Sequence, residues 1–307
     1  MTRRKIVAIS GSGRTGSTLL SLLLSQDKSI FNLGQLRDLW AARADDAPCS
    51  CGHRLSACPV YSTVFRDVFG AAPDAELSSM RNATKSFLRD ASQLHDWSEP
   101  AAVAELAARH AAFVARLGAV LDALQRTTGA TQFVDASKAP EMALALGLTA
   151  GTDLRVLNLV RDPRAIAVSW ARRRGRVFAG WEFSRTWARR QRTLARWSRS
   201  LGTRFIAIRY EDFAADARST VERVQHWAEL APTPQVFQSA DRATISWAGQ
   251  HLYPPANERV LAERASEVTI APADDWRDRR HWLQHVLALL ATHPDGARYA
   301  RGGGSRA

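Results

Sequence analysis

Short apolar runs alternate with helical patterns along this chain. Residues 6–10 (IVAIS) have the pattern of a buried strand, and the apolar positions of residues 15–25 lie almost all round the helix that follows. Further strands are predicted at 132–135, 154–160 and 205–210. Because strands and helices alternate, the pattern predicts an α/β fold with a P-loop-like central parallel sheet, helices on both of its faces and a helical cap.

The cap is expected from the long helical pattern at residues 75–128, which includes an alanine-rich segment at 101–124 between Pro100 and Gly129. Residues 32–70 carry turn residues and look irregular. Later helices are predicted from Pro163 and at 184–200, 218–230 and 278–290. We therefore expect one domain over residues 1–300, with a cap or insertion at about 36–130 and a disordered tail at 301–307.

The net charge of +12 indicates an anionic partner. Fifteen arginines lie between Arg155 and Arg209, against only Asp162 and Glu182. A preference for arginine on solvated faces explains part of this excess but not the local lack of acids. No nucleic-acid-binding motif accompanies the charge, so no nucleic acid is expected as partner. The longest aliphatic stretch, Leu22 to Leu24, predicts no membrane span, and the start of the chain lacks a signal-peptide pattern, which favours a cytoplasmic enzyme.

The segment after the first strand, SGSGRTGSTLL, predicts an anion-binding loop. Gly11 and Gly16 have the spacing of a phosphate-binding loop, but Ser17 stands where such a loop carries the lysine that reaches the β- and γ-phosphates of ATP. Glycines let the backbone approach an anion, and the amides of the following helix point at it. The loop is therefore suited to an anion other than the ATP triphosphate.

A second polar motif follows the strand at 154–160. Arg161 leaves the end of this strand, and Ser169 lies about two turns along the helix that Pro163 opens. The two side chains are placed to hold a further phosphate, remote from the first. A ligand with a 5′-phosphate group and a separate 3′-phosphate needs two such sites.

These two motifs resemble the cofactor-binding motifs of sulfotransferases that use 3′-phosphoadenosine-5′-phosphosulfate (PAPS). Within that superfamily, the chain resembles the bacterial branch related to carbohydrate sulfotransferases. The segments that carry the resemblance are RTGSTLL at 14–20, CSCGHRLSACPVY at 49–61, FVDASKAPEMAL at 133–144, LVRDPRAIAVSW at 159–170 and RYEDF at 209–213.

The resemblance implies roles for particular residues. The 5′-phosphosulfate would be held by Arg14, Thr15, Gly16, Ser17 and Thr18, and the 3′-phosphate by Arg161 and Ser169. Asn257 and Arg259 are the candidates in the late segment HLYPPANER, which lies where the family has a loop closing over the cofactor.

The catalytic candidates are Arg14, Gln35, Asp135 and Lys138. Sulfuryl transfer needs a base that takes the acceptor proton and cations that stabilise the charge on the leaving oxygen. Arginine, lysine and backbone amides can stabilise that charge without a metal. Relatives in the branch often carry glutamate where this chain has Gln35, which takes up no proton at neutral pH. Asp135 is the first replacement base, with a helix cap as the alternative. Lys138 would stabilise the leaving phosphate or the transferring sulfonate.

Three cysteines and a histidine lie close together in the sequence. Cys49, Cys51, His53 and Cys58 are the residue types of a zinc site, but they lack the usual C-x₂-C spacing. Reduced or redox-active cysteines beside a surface hairpin are favoured, and no metal is expected. His53 and His251 are alternative bases.

The sequence thus predicts a PAPS-dependent sulfotransferase that acts on a hydroxyl of a small molecule or glycoconjugate and releases adenosine 3′,5′-bisphosphate. One alternative is a phosphotransferase that uses ATP and magnesium. Ser17 in place of the usual lysine makes this alternative less favoured. The other is a non-catalytic nucleotide- or nucleic-acid-binding protein that uses the arginine-rich face.

Overall fold

The computed structural model describes residues 3–70, 73–94, 97–255, 260 and 263–300. Its centre is a parallel sheet of five strands in the order β2-β3-β1-β4-β5. The strands are β1 (Arg4–Gly11), β2 (Ile30–Gly34), β3 (Gln132–Lys138), β4 (Thr152–Val160) and β5 (Phe205–Arg209). The predicted parallel α/β sheet is confirmed. All five strands end at one edge, and the polar motifs follow them there.

Helices surround this sheet. They are α1 (Ser17–Leu24), α2 (Leu39–Ala44), α3 (Pro59–Phe69), α4 (Asp74–Gln93), α5 (Pro100–Arg109), α6 (Ala111–Thr128), α7 (Pro140–Leu148), α8 (Pro163–Arg174), α9 (Val177–Leu201), α10 (Tyr210–Ala215), α11 (Ala217–Ala228), α12 (Trp282–Thr292) and α13 (Asp295–Ala300). Two short strands, β6 (Arg242–Thr244) and β7 (Glu267–Thr269), form a separate antiparallel hairpin.

The central strand β1 divides two hydrophobic cores. Successive strand residues point to opposite faces of a sheet. Ile6 and Ala8 accordingly pack into the core shared with α3, α4, α6 and α7. Val7 and Ile9 pack into the other core, with α1 and α11. Burial on both faces explains why residues 6–9 of β1 are all apolar rather than alternating with polar residues.

The expectation that residues 32–70 are irregular is wrong. Ile30–Gly34 forms the edge strand β2, which pairs with β3, and Pro59–Phe69 forms the helix α3. Five residues between turns are too few to show a period, so partnership with β3 decides their conformation. The alanine-rich helix is also divided, since α5 ends at Arg109 and α6 begins at Ala111.

The helices α2 to α6 are inserted between β2 and β3. They contribute to the same hydrophobic core as Ile6 and Phe133 of the sheet, and Arg4 of β1 forms a 2.8 Å ion pair with Asp122 of α6. The expected disordered tail at 301–307 lies outside the described residues. Among the described helices, none combines the length and the apolar character that crossing a membrane requires.

Candidate active site

The loop between β1 and α1 passes very close to its neighbours. A Cβ on Gly11, whose φ is 126°, would lie 2.6 Å from the carbonyl oxygen of Leu159 in β4. Gly16 has a φ of 78°, and a Cβ there would lie 3.2 Å from the ring of Tyr210. Glycine is thus required at both places, by backbone conformation and by contact. The loop is held between β4 and α10.

The loop offers hydrogen-bond donors to an anion. Helix α1 begins at Ser17, and no side chain caps its first turn at Gly16. The first amides of a helix have no partner within the helix, and its dipole favours negative charge. The hydroxyl of Thr15 donates to the carbonyl of Ser12 at 2.9 Å, whereas the Ser12 hydroxyl is buried without a hydrogen-bond partner. An anionic ligand would supply that partner.

The two sequence motifs meet at Arg14. Its Nε donates to the Ser169 hydroxyl at 2.9 Å, and its carbonyl oxygen accepts from Nη1 of Arg161 at 2.8 Å. The Arg161 guanidinium lies 4.2 Å above the centre of the Tyr210 ring, and its Nε is buried without a hydrogen-bond partner. Arg14 itself has a φ of 69°, which is unusual for a residue with a side chain. The fold therefore brings Arg161 and Ser169 to the loop.

A cavity of about 1010 Å³ opens beside this loop. Of the predicted residues, its lining includes Arg14, Gly16, Ser17, Thr18, Gln35 and Lys138. Thr15, Asp135, Arg161 and Ser169 are not among the residues that line it. A second cavity, of about 860 Å³ between α9 and β5, is lined by none of the predicted site residues.

Lys138 lies at the end of β3 with its side chain against the cavity. Its ammonium donates to the carbonyl of Ala136 at 3.1 Å. Burial, followed by repulsion from the guanidinium of Arg37, lowers the pKa of Lys138 to about 7. A negative charge in the cavity would offset both effects and favour the protonated form.

Asp135 is only 1% exposed and is surrounded by donors. Its Oδ1 accepts from the Leu36 amide at 3.1 Å and the Ser137 hydroxyl at 2.7 Å, and its Oδ2 accepts from the Ser137 amide at 3.1 Å. Burial raises the pKa of this carboxyl group. Ser137 in turn accepts from the amide of Arg37 at 3.2 Å. These contacts fix the turn after β2, which carries Gln35 into the cavity.

Sequence reasoning missed four arginines that line the cavity, Arg37, Arg173, Arg174 and Arg190. Nη1 of Arg190, on α9, donates to the Gly11 carbonyl at 2.9 Å, while its Nε is buried without a hydrogen-bond partner. Burial and the charge of Arg37 lower the pKa of Arg190 to about 10. The arginine-rich stretch with few acids was the only signal for Arg190. The count of charges along the chain indicated an arginine-rich region but did not identify any one arginine as a site residue.

The two histidines considered as bases lie in another place. His251 is 8% exposed, and its Nδ1 is 3.2 Å from the Cys58 sulfur. Nδ1 of His53 is 3.8 Å from the Cys51 sulfur on the exposed side of the same cluster. Neither is among the residues that line the large cavity. Asn257 and Arg259 lie outside the described residues.

The chain is similar to known sulfotransferases in sequence and in fold. The sulfotransferase family model matches residues 7–234. A solved sulfotransferase domain of the Synechococcus PCC 7002 olefin synthase superposes with a TM-score of 0.53 at 17% identity, covering 94% of each chain. A sulfotransferase from Mycobacterium avium gives a TM-score of 0.43 at 16% identity, covering 86% of this chain and 76% of that one.

One sequence relative matches over a shorter length. The 4-O-dimethylallyl-L-tyrosine synthase of Claviceps purpurea is 35% identical over 80 residues. This match covers 26% of this chain and only 18% of that relative. The olefin synthase domain shows the shared fold, and the family model spans most of the chain.

Proposed function

Because this chain belongs to the sulfotransferase family, we propose that it transfers the sulfuryl group of PAPS to a hydroxyl of a small molecule or glycoconjugate. The observation that carries this proposal is the convergence of the two motifs at Arg14, beside a cavity lined by cations. The remaining product is adenosine 3′,5′-bisphosphate. The reaction requires two anion-binding sites and a position from which an acceptor hydroxyl reaches the sulfur atom.

The residues present fit a donor with two anionic groups. The amides at the start of α1, with the hydroxyls of Ser17 and Thr18, would hold the 5′-phosphosulfate. Arg161 and Ser169 would hold the 3′-phosphate, at the cost of loosening their contacts with Arg14. The buried Ser12 hydroxyl without a hydrogen-bond partner supports an anion at the loop.

The transfer forms a bond between the acceptor oxygen and sulfur and breaks the bond between sulfur and the bridging phosphate oxygen. The acceptor hydroxyl releases its proton to solvent water, unless Asp135 serves as the predicted base. Lys138, protonated when an anion fills the cavity, would stabilise the charge on that bridging oxygen. Arg14 and Arg190 would add to this stabilisation. Gln35 would orient the acceptor hydroxyl through a hydrogen bond. These roles need cations held in place at the loop, and the hydrogen bonds of Lys138 to the Ala136 carbonyl and of Arg190 to the Gly11 carbonyl support this arrangement.

We propose a positioning role for Asp135, because both of its carboxylate oxygens accept hydrogen bonds from Leu36 and Ser137. It would then act through the turn that carries Gln35. Its role as general base stays a prediction, and an experiment that separates the two roles is given in the Discussion.

Calorimetric titration with adenosine 3′,5′-bisphosphate, beside ATP with magnesium, tests the donor class. We expect one-to-one binding of the bisphosphate, weakened at least about tenfold in Arg161→Ala and in Arg190→Met, since each removes a charged hydrogen-bond donor. Arg189→Ala is the matched control, because Arg189 is exposed on the same helix and leaves the cavity unchanged.

The same titration has an outcome that would replace the proposal. Tight binding of magnesium ATP without a response to the bisphosphate would favour the phosphotransferase. Binding of duplex nucleic acid with a steep salt dependence, and no saturable nucleotide binding, would favour the non-catalytic alternative.

A further inference from the structure

The three cysteines of the chain converge on a histidine that lies far away in the sequence. Cys49, Cys51 and Cys58 come from the segment between α2 and α3, and His251 comes from the segment after the hairpin strand β6. Their ligand atoms all lie within 4.8 Å of one another. The sequence shows the three cysteines together, but it gives no sign of their contact with His251, which lies 193 positions after Cys58.

The three distances among the ligand atoms of Cys49, Cys58 and His251 are close to those of tetrahedral coordination, and the Cys51 sulfur lies within 4.8 Å of each of these atoms. A Zn–S bond of about 2.3 Å and a Zn–N bond of about 2.0 Å place two sulfurs about 3.8 Å apart and a sulfur and nitrogen about 3.5 Å apart. The sulfurs of Cys49 and Cys58 are 3.8 Å apart. Nδ1 of His251 is 3.2 Å from the Cys58 sulfur and 3.9 Å from the Cys49 sulfur. An ion at the centre would satisfy these separations together.

The surroundings hold the potential ligands in place. Cys49 and Cys58 are 5% and 0% exposed. The backbone amide of Cys49 donates to the carbonyl of His53 at 2.8 Å, and that of Gly52 donates to the Cys49 carbonyl at 3.0 Å, which closes the turn that carries the first two thiols. The His251 ring stacks on Phe31 of β2, with ring centres 6.1 Å apart. The ligands are therefore oriented before any ion binds.

Neither a disulfide nor a catalytic metal fits this arrangement as well. All three cysteines are free thiols, and 3.8 Å is almost twice the length of an S–S bond, which is about 2.05 Å. Four protein ligands leave a tetrahedral ion no open position for substrate, which is the mark of a structural site. None of the four ligands lines the large cavity.

We propose that Cys49, Cys51, Cys58 and His251 bind one structural Zn²⁺ ion. Thiolate and imidazole ligands in a tetrahedral set are those that zinc prefers, and binding releases the thiol protons. The ion joins the cap to the segment around His251, where Ser50 and Leu252 already exchange two hydrogen bonds of 2.8 Å.

Zinc would thereby anchor a segment that borders the large cavity. Leu252 and Tyr253 pack against Gly34 at the end of β2, and the Tyr253 hydroxyl donates to the Leu33 carbonyl at 2.9 Å. Two residues later, Pro255 lines the cavity. The ion stabilises this wall by tying it to the cap, without touching the reacting groups.

Metal analysis of the full chain, purified under reducing conditions and passed through metal-free buffer, tests the proposal. We expect about one zinc per chain, and cobalt in its place should give the intense visible absorption of a tetrahedral thiolate site. His251→Asn should lose at least about 90% of the zinc, whereas His251→Cys, which supplies a thiolate in place of the imidazole ligand, should retain it. His53→Ala is the matched control and should keep its zinc.

The zinc content of the wild-type protein is the decisive measurement, because its result does not depend on whether a variant folds. Reduced wild-type chain that takes up no zinc on reconstitution would overturn the proposal, as would stoichiometric iron or copper or a Cys49–Cys58 disulfide in the protein as purified. Loss of zinc from His53→Ala with retention in His251→Asn would overturn the assigned ligand set. Removal of zinc by a chelator should lower the Tm, because binding energy contributes to folding.

Discussion

Lys138 shows how its surroundings decide what one side chain can do. A solvated lysine at the end of a strand stays protonated at neutral pH. Here burial and then the nearby Arg37 lower the pKa of Lys138 to about 7, so that this lysine is close to half protonated at neutral pH unless an anion binds beside it. An anion that binds in the cavity would raise the pKa of Lys138 again. The lysine would then be fully protonated only when the donor is bound.

This environment predicts a pH dependence of stability in the protein without ligand. The unfolded chain keeps the lysine protonated up to a pKa of 10.5, whereas the folded chain releases the proton near 7. Between these values the unfolded state binds more protons, so the free energy of unfolding attributable to Lys138 rises with pH. Lys138→Met should remove this part of the rise between about pH 7 and 9 in urea unfolding.

Lys85→Met is the control for that measurement, because Lys85 is exposed on α4. The control should keep the wild-type slope. Equal slopes in wild type and Lys138→Met would mean that Lys138 is protonated in the folded state at neutral pH.

Single residues of the loop could be recognised in the sequence because backbone conformation imposes their identity. Gly11 and Gly16 have φ values of 126° and 78°. A Cβ on Gly11 would collide with the Leu159 carbonyl oxygen, and a Cβ on Gly16 would lie in tight contact, 3.2 Å from the Tyr210 ring. Asp135 is different, since its position in the sequence predicts a general base first, with a helix cap as the alternative. Its hydrogen bonds with Leu36 and Ser137 support the positioning role that we propose, and the general-base role stays a prediction.

At the level of the elements, strand β3 determines where the end of β2 lies. Asp135 and Ser137 of β3 accept from the amides of Leu36 and Arg37, the two residues directly after Gln35. These side-chain hydrogen bonds connect β3 to the turn after β2, past the last backbone hydrogen bonds between the two strands. The position of Gln35 in the cavity is therefore a property of the β2–β3 pair.

A pair of variants separates a positioning role from a catalytic role of Asp135. Ser137→Ala removes one anchor of the turn and leaves the carboxylate, whereas Asp135→Asn replaces the carboxylate by an amide of similar shape. If Asp135 only positions the turn, both variants should lower kcat by a similar factor, about 3- to 30-fold, and both should lower the Tm, since each removes buried hydrogen bonds. Bisphosphate affinity should be retained in both.

The measurement is kcat over a range of pH with an accepted hydroxyl substrate. A loss confined to Asp135→Asn, of more than about 100-fold and without a change in Tm, would instead identify Asp135 as the general base. Disappearance of the acidic limb of the pH profile in that variant would support the same conclusion.

Elements were predictable where their local pattern was long or capped. Helix α8 begins at Pro163 as predicted, and its N-cap Asp162 accepts from the Arg164 amide at 2.8 Å. β2 was missed because Ile30–Gly34 is short and buried on both faces, so that no alternation marks it. Its existence depends on pairing with β3, about a hundred residues later.

For the whole molecule, the inserted helices and the sheet share one core. Trp97, between α4 and α5, packs edge-on against Trp197 of α9 with ring centres 5.0 Å apart. Phe87 and Phe113 of the cap belong to the same buried cluster as Phe133 of β3. We propose that the chain forms one domain, with the cap as part of it.

This proposal predicts cooperative unfolding. In hydrogen exchange at increasing urea, peptides from α4 to α6 and peptides from β1, β3 and β4 should lose protection at the same concentration. Trp97→Ala should lower the midpoint of both regions together, by about 3 kcal/mol of unfolding free energy. Earlier loss of protection in the cap, or an effect of Trp97→Ala on the cap alone, would show that the cap unfolds as a separate unit.

The sequence by itself determined the features that arise from local interactions. Strand–loop–helix order, the glycines of the anion loop and the start of α8 follow from backbone conformation and from neighbours a few residues away. The resemblance of two such motifs was enough to identify the family. Most of the central sheet followed from the same local patterns.

The tertiary structure decided which distant groups meet and how they are charged. It brings Arg190 to the Gly11 carbonyl, aims the carboxylate of Asp135 at the turn after β2, and places His251 beside Cys58 across 193 residues of chain. Burial then lowers the pKa of Lys138, an effect that depends on all the elements around it. Contacts and desolvation of this kind arise only when the chain is packed, so local sequence carries no signal for them.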